Sequence, residues 1–248
     1  MLAIIRIFLI TFALVVVCVF ASLYSLFRPF HKNNVHYTSK YLGKITRLLG
    51  LEMEIRIPDE VKTLGPVVYV CNHQNSWDIF TLACAVPPNT VSLGKKSLKW
   101  IPFFGQMYWL TGNILIDRKN TNKAMNTIAL TARKIKEKRL SVWLFPEGTR
   151  SNGRGILPFK TGAFRTAEQA GVPIVPVCAS SSQAIKLNRW NNGKMIIEFL
   201  KPVQIASKNK DMIRDITDNT RSLIQSKVDQ LNSEIEPSAL HVLQEINK

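Results

Sequence analysis

The chain has 248 residues, long enough to bury one substantial α/β core, and it carries 33 Lys and Arg against 17 Asp and Glu, a formal charge of +16. Cys18, Cys71, Cys84 and Cys178 are scattered, with neither metal-ligand spacing nor a framework of pairs, which excludes a disulfide scaffold and suits a reducing compartment. A basic excess of this size favours anionic partners.

From the N-terminus, Ile7 to Leu26 is apolar throughout, with only Thr11, Ser22 and Ser25 as weakly polar members. Roughly twenty such residues suffice to cross a bilayer. The run exceeds the apolar core of about 7–15 residues in a cleaved signal peptide and lacks a small-x-small cleavage site, so it reads as a retained membrane segment. Crossing the bilayer and lying in one leaflet are both open to it. Between Tyr37 and Leu51, Tyr37, Tyr41, Leu42, Ile45, Leu48 and Leu49 recur at helical spacing while Lys40, Lys44 and Arg47 occupy another face, predicting an interfacial amphipathic helix. Residues 1–50 hold six basic residues and no acid.

Strand and helix signals then alternate. Strands are predicted over Pro66–Cys71, near Val91, and over Asn113–Ile116, Val142–Phe145, Pro173–Cys178 and Met195–Leu200, and helices over Trp77–Val86, Thr121–Lys138 and Gly162–Ala170. Ala124, Ile128, Ala132 and Ile135 give the middle helix a buried stripe. A last helix from about Asp211 to Leu231 is expected to turn Met212, Ile216, Leu223, Val228 and Leu231 inward. The pattern defines an α/β fold, a mixed central sheet flanked by helices, behind an N-terminal membrane-embedded helical anchor. The anchor is placed at residues 1–55 and the α/β domain at residues 56–248.

Two loops that follow strands carry chemistry. The first is Asn72-His-Gln-Asn-Ser-Trp-Asp78, where a strand-to-helix turn can fold the Asp78 carboxylate onto the His73 ring. A carboxylate so placed fixes the tautomer of an imidazole and stabilises its protonated form, the pairing of a general base with its orienting group. Cys71, two residues earlier, is a rival nucleophile, although a cysteine ending an apolar strand is usually core. The second loop is Pro146-Glu-Gly-Thr-Arg-Ser151, continuing through Asn152-Gly-Arg-Gly155. Its glycines allow close backbone approach and its arginines grip oxygens in a fork, a combination suited to phosphate. Between the loops, Lys95 to Gly105 sets aromatic and apolar residues beside cations, as an amphiphile with an anionic head needs. Residues 91–165 hold fifteen basic residues against three acids.

Four blocks occur in order: Asn72 to Asp78, Gly112-Asn-Ile-Leu-Ile-Asp-Arg118, Phe145 to Ser151, and Val172-Pro-Ile-Val-Pro-Val177. On these the chain resembles the glycerolipid acyltransferase family. The resemblance implies transfer of a fatty acyl group from acyl-CoA or acyl carrier protein to the sn-2 hydroxyl of lysophosphatidic acid. It implies His73 as base and Asp78 as its orienter. Lys96, Asn113, Arg118, Glu147, Gly148 and Arg150 are then substrate-binding residues, with Glu147 positioning substrate through a cation or hydroxyl. Glycerol 3-phosphate and other lysophospholipids remain open as acceptors. The resemblance also implies a bacterial inner membrane, with the catalytic domain on the cytoplasmic face and anionic membrane lipid as partner. No metal, nicotinamide or P-loop motif is visible, so the donor thioester is a substrate and no cofactor is expected. The lipid anchor and the lack of a nucleic-acid-binding motif argue against nucleic acid.

Overall fold

A computed structural model describes residues 1–117, 121–205 and 209–235. Seven strands, β1 (Glu52–Arg56), β2 (Val68–Cys71), β3 (Thr90–Lys95), β4 (Ile114–Ile116), β5 (Ser141–Leu144), β6 (Ile174–Ala179) and β7 (Lys194–Phe199), form one sheet in the order β1-β7-β6-β2-β5-β3-β4. All neighbours are parallel except β6 and β7, so the sheet is mixed, as expected. β2 lies at its centre, and its side chains alternate between two cores. Val68 and Val70 face one core with Val142, Leu144, Ile174, Ile135 and Phe164. Val67, Tyr69 and Cys71 face the other with Trp143, Val175, Val177, Met195 and Phe199.

The helices are α1 (Leu2–Phe27), α2 (Asn34–Lys44), α3 (Asp59–Lys62), α4 (Asp78–Thr81), α5 (Phe104–Leu110), α6 (Thr121–Lys138), α7 (Gly162–Ala170) and α8 (Lys210–Ile235). The helix predicted over Trp77–Val86 is two short pieces, since α4 tightens into a 3₁₀ turn at Leu82–Ala85 before Pro87 and Pro88. α6 and α7 keep their predicted bounds. α7 stops where Gly171 adopts a left-handed conformation, φ 66°, which glycine adopts without strain.

Three expectations change. β1 falls inside the segment assigned to the anchor: Glu52 to Arg56 pairs in register with Lys194 to Glu198, so the sheet begins before residue 56. Its charges hid it, and they are those of an edge strand. Arg56 bonds Glu54, Glu198 and Glu234 there. On α8, Met212 and Leu223 face outward, 46% and 45% exposed. The buried seam is Ile213, Thr217, Thr220, Ile224, Val228 and Leu231; two threonines in it, bonding within their own helix or packing, conceal it from an apolar count.

The third change concerns α2. Val35, Leu42 and Ile45 are buried, the 3₁₀ turn Ile45–Leu49 continues the same face, and Leu42 packs with Phe80, Ala83, Met107 and Tyr108. Tyr37 and Tyr41 instead lie exposed beside Lys40, Lys44 and Arg47. α2 is therefore part of the α/β body, with a basic-aromatic face turned outward. α1 also packs through one seam, Arg6, Ile10, Leu14, Cys18, Ala21 and Ser25, which runs most of its length of roughly 39 Å. Its other faces expose Ile4, Phe8, Phe12, Phe20, Leu23 and Phe27. Among the described residues α1 is the one helix long and apolar enough to cross a membrane.

The α8 register is checked by paired truncations. Ile224→Ala, at a fully buried site, is expected to cost about 2–5 kcal/mol, and Leu223→Ala less than about 1 kcal/mol, in denaturant unfolding of the detergent-solubilised protein.

Candidate active site

β2 and β5 are parallel neighbours, so their C-terminal ends deliver residues 72–77 and 145–161 to the same edge of the sheet, where ligands of parallel α/β sheets bind. The two loops are stitched together by backbone. The Ser151 N–H donates to the His73 carbonyl at 2.8 Å and the Asn152 N–H to the Gln74 carbonyl at 2.8 Å. Asn72 anchors the first loop from below, its amide bonding the backbone of Ala179 on β6 in both directions.

His73 Nδ1 lies 2.7 Å from Asp78 Oδ2. The same oxygen accepts the Gln74 N–H at 2.6 Å and the Asn75 N–H at 3.3 Å. A carboxylate accepts hydrogen bonds, so a neutral ring facing it carries its proton on Nδ1 and leaves the Nε2 lone pair free. Asp78 is almost fully buried while the His73 side chain keeps 18% of its surface exposed. The Phe145 ring stacks on the imidazole, centroids 4.0 Å apart and planes 15° from parallel. Bonded at one edge and stacked on one face, the imidazole is tightly held.

The ring lines a cavity of about 920 Å³, the size of a substantial ligand site. Exposed residues Lys95, Thr149, Arg150 and Asn152 mark where it opens. Buried Leu42, Val91, Phe104 and Met107, with Leu14 of α1, wall its interior. Both N-terminal helices thus complete the chamber. Tyr108 covers β3 above Gly94, where a Cβ would collide with the phenol, and its hydroxyl bonds Ser92 Oγ at 2.7 Å.

The other sequence-predicted residues divide. Arg150 lines the opening, and its guanidinium donates to Ser76 Oγ at 3.2 Å across the two loops. Gly148 lines it too, at φ 71°, a backbone state that side chains resist, with the Lys160 side chain close by. Lys96 is exposed and off the cavity wall, which takes Lys95 instead: Lys95 ends β3, and Lys96 begins a 3₁₀ turn. Asn113 lines the cavity, but its amide oxygen is occupied by the Ser92 N–H and hydroxyl at 2.8 and 2.9 Å, so it braces β3. Arg154 donates to the carbonyls of Arg150 and Ser151. Arg118 lies outside the described residues.

Glu147, expected at the substrate, turns inward. It is 3% exposed, and its two oxygens accept the His73 N–H at 2.7 Å and the Leu157 N–H at 3.0 Å. Burial raises its carboxyl above the ordinary range against the pull of those donors. Glu147 therefore clamps the second loop to the backbone of the histidine itself. Phe145 was missed as well; the signal for it was its place at the end of β5, directly beside the β2 turn. Cys71 is buried in the core behind the site and does not line the cavity, and burial pushes its thiol well up, opposite to what a nucleophile needs. Among the described residues, no group of three or more His, Cys, Asp or Glu side chains is placed to hold a metal ion.

The mixed sheet thus sets a carboxylate-held histidine in the wall of an apolar chamber with basic residues at its opening. A sequence model of the acyltransferase family matches residues 52–180. The chain is 47% identical over 236 residues to the 1-acyl-sn-glycerol-3-phosphate acyltransferase of Haemophilus influenzae, covering 95% of this chain and 98% of that protein. It is 48% identical to the enzyme of that name from Escherichia coli K12, covering 95% and 96%. In fold it matches the crystal structure of the 1-acyl-sn-glycerophosphate acyltransferase of Thermotoga maritima, with a TM-score of 0.71 at 21% identity, covering 92% of this chain and 97% of the other. The chain belongs to the acyltransferase family, and it is an enzyme of that family.

Glu147→Gln leaves one carbonyl for two backbone donors, and a buried donor without a partner costs about 1–3 kcal/mol. Steady-state acyl transfer by this variant is expected to show kcat lowered at least tenfold with the acceptor KM within about twofold of wild type. A KM effect without a kcat effect would place Glu147 on the substrate.

Proposed function

We propose that the protein transfers a fatty acyl group from the thioester of acyl-CoA or acyl carrier protein to the sn-2 hydroxyl of 1-acyl-sn-glycerol 3-phosphate, forming phosphatidic acid. The observation that carries this reading is the 2.7 Å His73–Asp78 pair at the opening of an apolar chamber rimmed by Arg150 and Lys95. The names of the bacterial relatives support the same acceptor.

In this reading Arg150 and Lys95, with Arg118, hold the acceptor phosphate, and the chamber takes acyl chain. His73 Nε2 takes the proton of the sn-2 hydroxyl as its oxygen adds to the thioester carbonyl. The resulting oxyanion collapses, the C–S bond breaks, and the thiolate leaves and takes up the proton from the imidazolium. Asp78 holds Nδ1–H throughout and stabilises the transient positive charge. A thiol leaving group, with an ordinary pKa near that of cysteine at about 8.5, departs easily, so the demanding task is activating the alcohol. Base assistance of this kind contributes roughly 10²–10⁴ in rate. Direct transfer needs no acyl-enzyme, in keeping with the burial of Cys71.

The exposed apolar faces of α1 and the basic-aromatic face of α2 support attachment to an anionic bilayer, each basic residue near the surface contributing about 1 kcal/mol. The seam that holds α1 to the body over most of its length supports a reading in which α1 lies in one leaflet without crossing, with the catalytic body on the cytoplasmic face of a bacterial inner membrane, where the acyl donors are.

Lysophosphatidic acid and glycerol 3-phosphate offered side by side with a palmitoyl or oleoyl thioester test the reading. Product is expected from the lysolipid only. His73→Ala should lose about 10²–10⁴ or more of kcat, Arg150→Ala should raise the lysolipid KM several-fold, and Cys71→Ala should retain turnover. Product from glycerol 3-phosphate alone would place the enzyme one acylation earlier, and a His73→Ala variant of undiminished rate would remove the base.

A further inference from the structure

The loop between β6 and β7 is held to the membrane helix by an arginine that the active site does not use. Arg6 stands on the apolar helix α1, yet it is only 5% exposed. Its guanidinium donates to the carbonyl oxygens of Leu187, at 3.2 Å, and Trp190, at 2.8 Å, and also to that of Arg189. It lies 5.8 Å from the centroid of the Trp190 ring. The loop is fixed from the other side as well, since the Asn192 N–H donates to the Gly50 carbonyl at 2.8 Å and its side-chain amide to the Leu49 carbonyl at 2.6 Å. Gly50, at φ 68°, passes so close beneath that a Cβ would collide with the Trp190 carbonyl.

A guanidinium on a helix that lies in a leaflet needs its donors filled, and these carbonyls fill them. The loop therefore travels with the first turns of α1 and sits at their depth. What it displays there is specific in chemistry. Trp190 is 78% exposed, although burying an indole is ordinarily favourable, and Lys186 and Arg189 stand exposed beside it. Residues 180–193 contain no acid. Indole prefers the boundary between headgroups and acyl chains, and cations next to it meet anionic headgroups.

We propose that Lys186 to Trp190 is a second membrane-contact element, separate from the helical anchor in sequence, with Trp190 seated in the interface and Lys186 and Arg189 on anionic lipid headgroups. Arg6 sets its depth. The proposal rests on the reading of α1 as lying in a leaflet. The same loop reaches the catalytic turn, since the Ser182 N–H donates to Gln74 Oε1 at 2.8 Å and Asn75 donates to Ser182 Oγ at 2.8 Å. The contact thus fixes the tilt of the body, and with it the catalytic turn, relative to the lipid surface.

Full-length wild type and Trp190→Phe, reconstituted in vesicles of phosphatidylcholine with phosphatidylglycerol, test this. Flotation first establishes that the protein is on the vesicles; failure to float would overturn the underlying membrane reading. For floated protein, the emission difference between the two proteins isolates Trp190 from the other four tryptophans. That difference is expected to be quenched by lipids brominated at shallow acyl positions and to resist aqueous iodide. In Lys186→Gln/Arg189→Gln, the bromine quenching of Trp190 should lose its dependence on phosphatidylglycerol content. A difference emission quenched by iodide and blind to brominated lipid, in protein that floats, would overturn the proposal while leaving the α1 reading intact.

Discussion

The hydrogen bond from His73 Nδ1 to Asp78 Oδ2 is the constraint around which the site is built. Asp78 opens α4 and also accepts the N–H groups of Gln74 and Asn75, so the carboxylate that orients the ring also shapes the turn that carries it. That turn exists because β2 ends at the sheet centre. It is held there by the bonds of Asn72 to Ala179 of β6, by Glu147 from the β5 loop, and by the backbone of Ser151 and Asn152. For the base proposed here such preorganisation matters, because a base is effective only when its lone pair is already aimed.

The second constraint is apolar. The chamber beside His73 is walled jointly by the β3–α5 region, α4 and the two N-terminal helices, so the anchor and the active site are one packed assembly. In the proposed reading, a lipid acceptor whose hydroxyl lies near the headgroup meets the histidine without leaving the membrane surface. Basic residues at the opening, on α2 and on the β6–β7 loop give this side of the protein one sign of charge, which favours anionic partners.

Much of this was readable in the residues. α6 and α7 keep their predicted bounds because period and termination agree there, and the strand-to-helix turn after β2 offered a way to fold Asp78 onto His73, although the spacing alone was a weak signal. The misses have physical causes. β1 is an edge strand whose charges break the apolar alternation, and the α8 seam runs through Thr217 and Thr220, which an apolar count skips. Glu147 looked like a substrate ligand because a carboxylate near a phosphate loop suggests one; only the fold shows two backbone donors waiting for it. Lys95 and Lys96 are adjacent, and which of them meets the cavity depends on where β3 gives way to a 3₁₀ turn. The chamber itself has no linear signature, since its walls come from segments far apart in the chain.

The most direct test of the central claim is the tautomer of His73, read by ¹⁵N NMR of the detergent-solubilised protein with labelled histidine, the His73 signals assigned by their loss in His73→Gln. At neutral pH the account predicts a protonated, pyrrole-like Nδ1 and an unprotonated, pyridine-like Nε2. A pyridine-like Nδ1 with the proton on Nε2 would contradict it, because the ring would then present a donor to the hydroxyl it is meant to deprotonate.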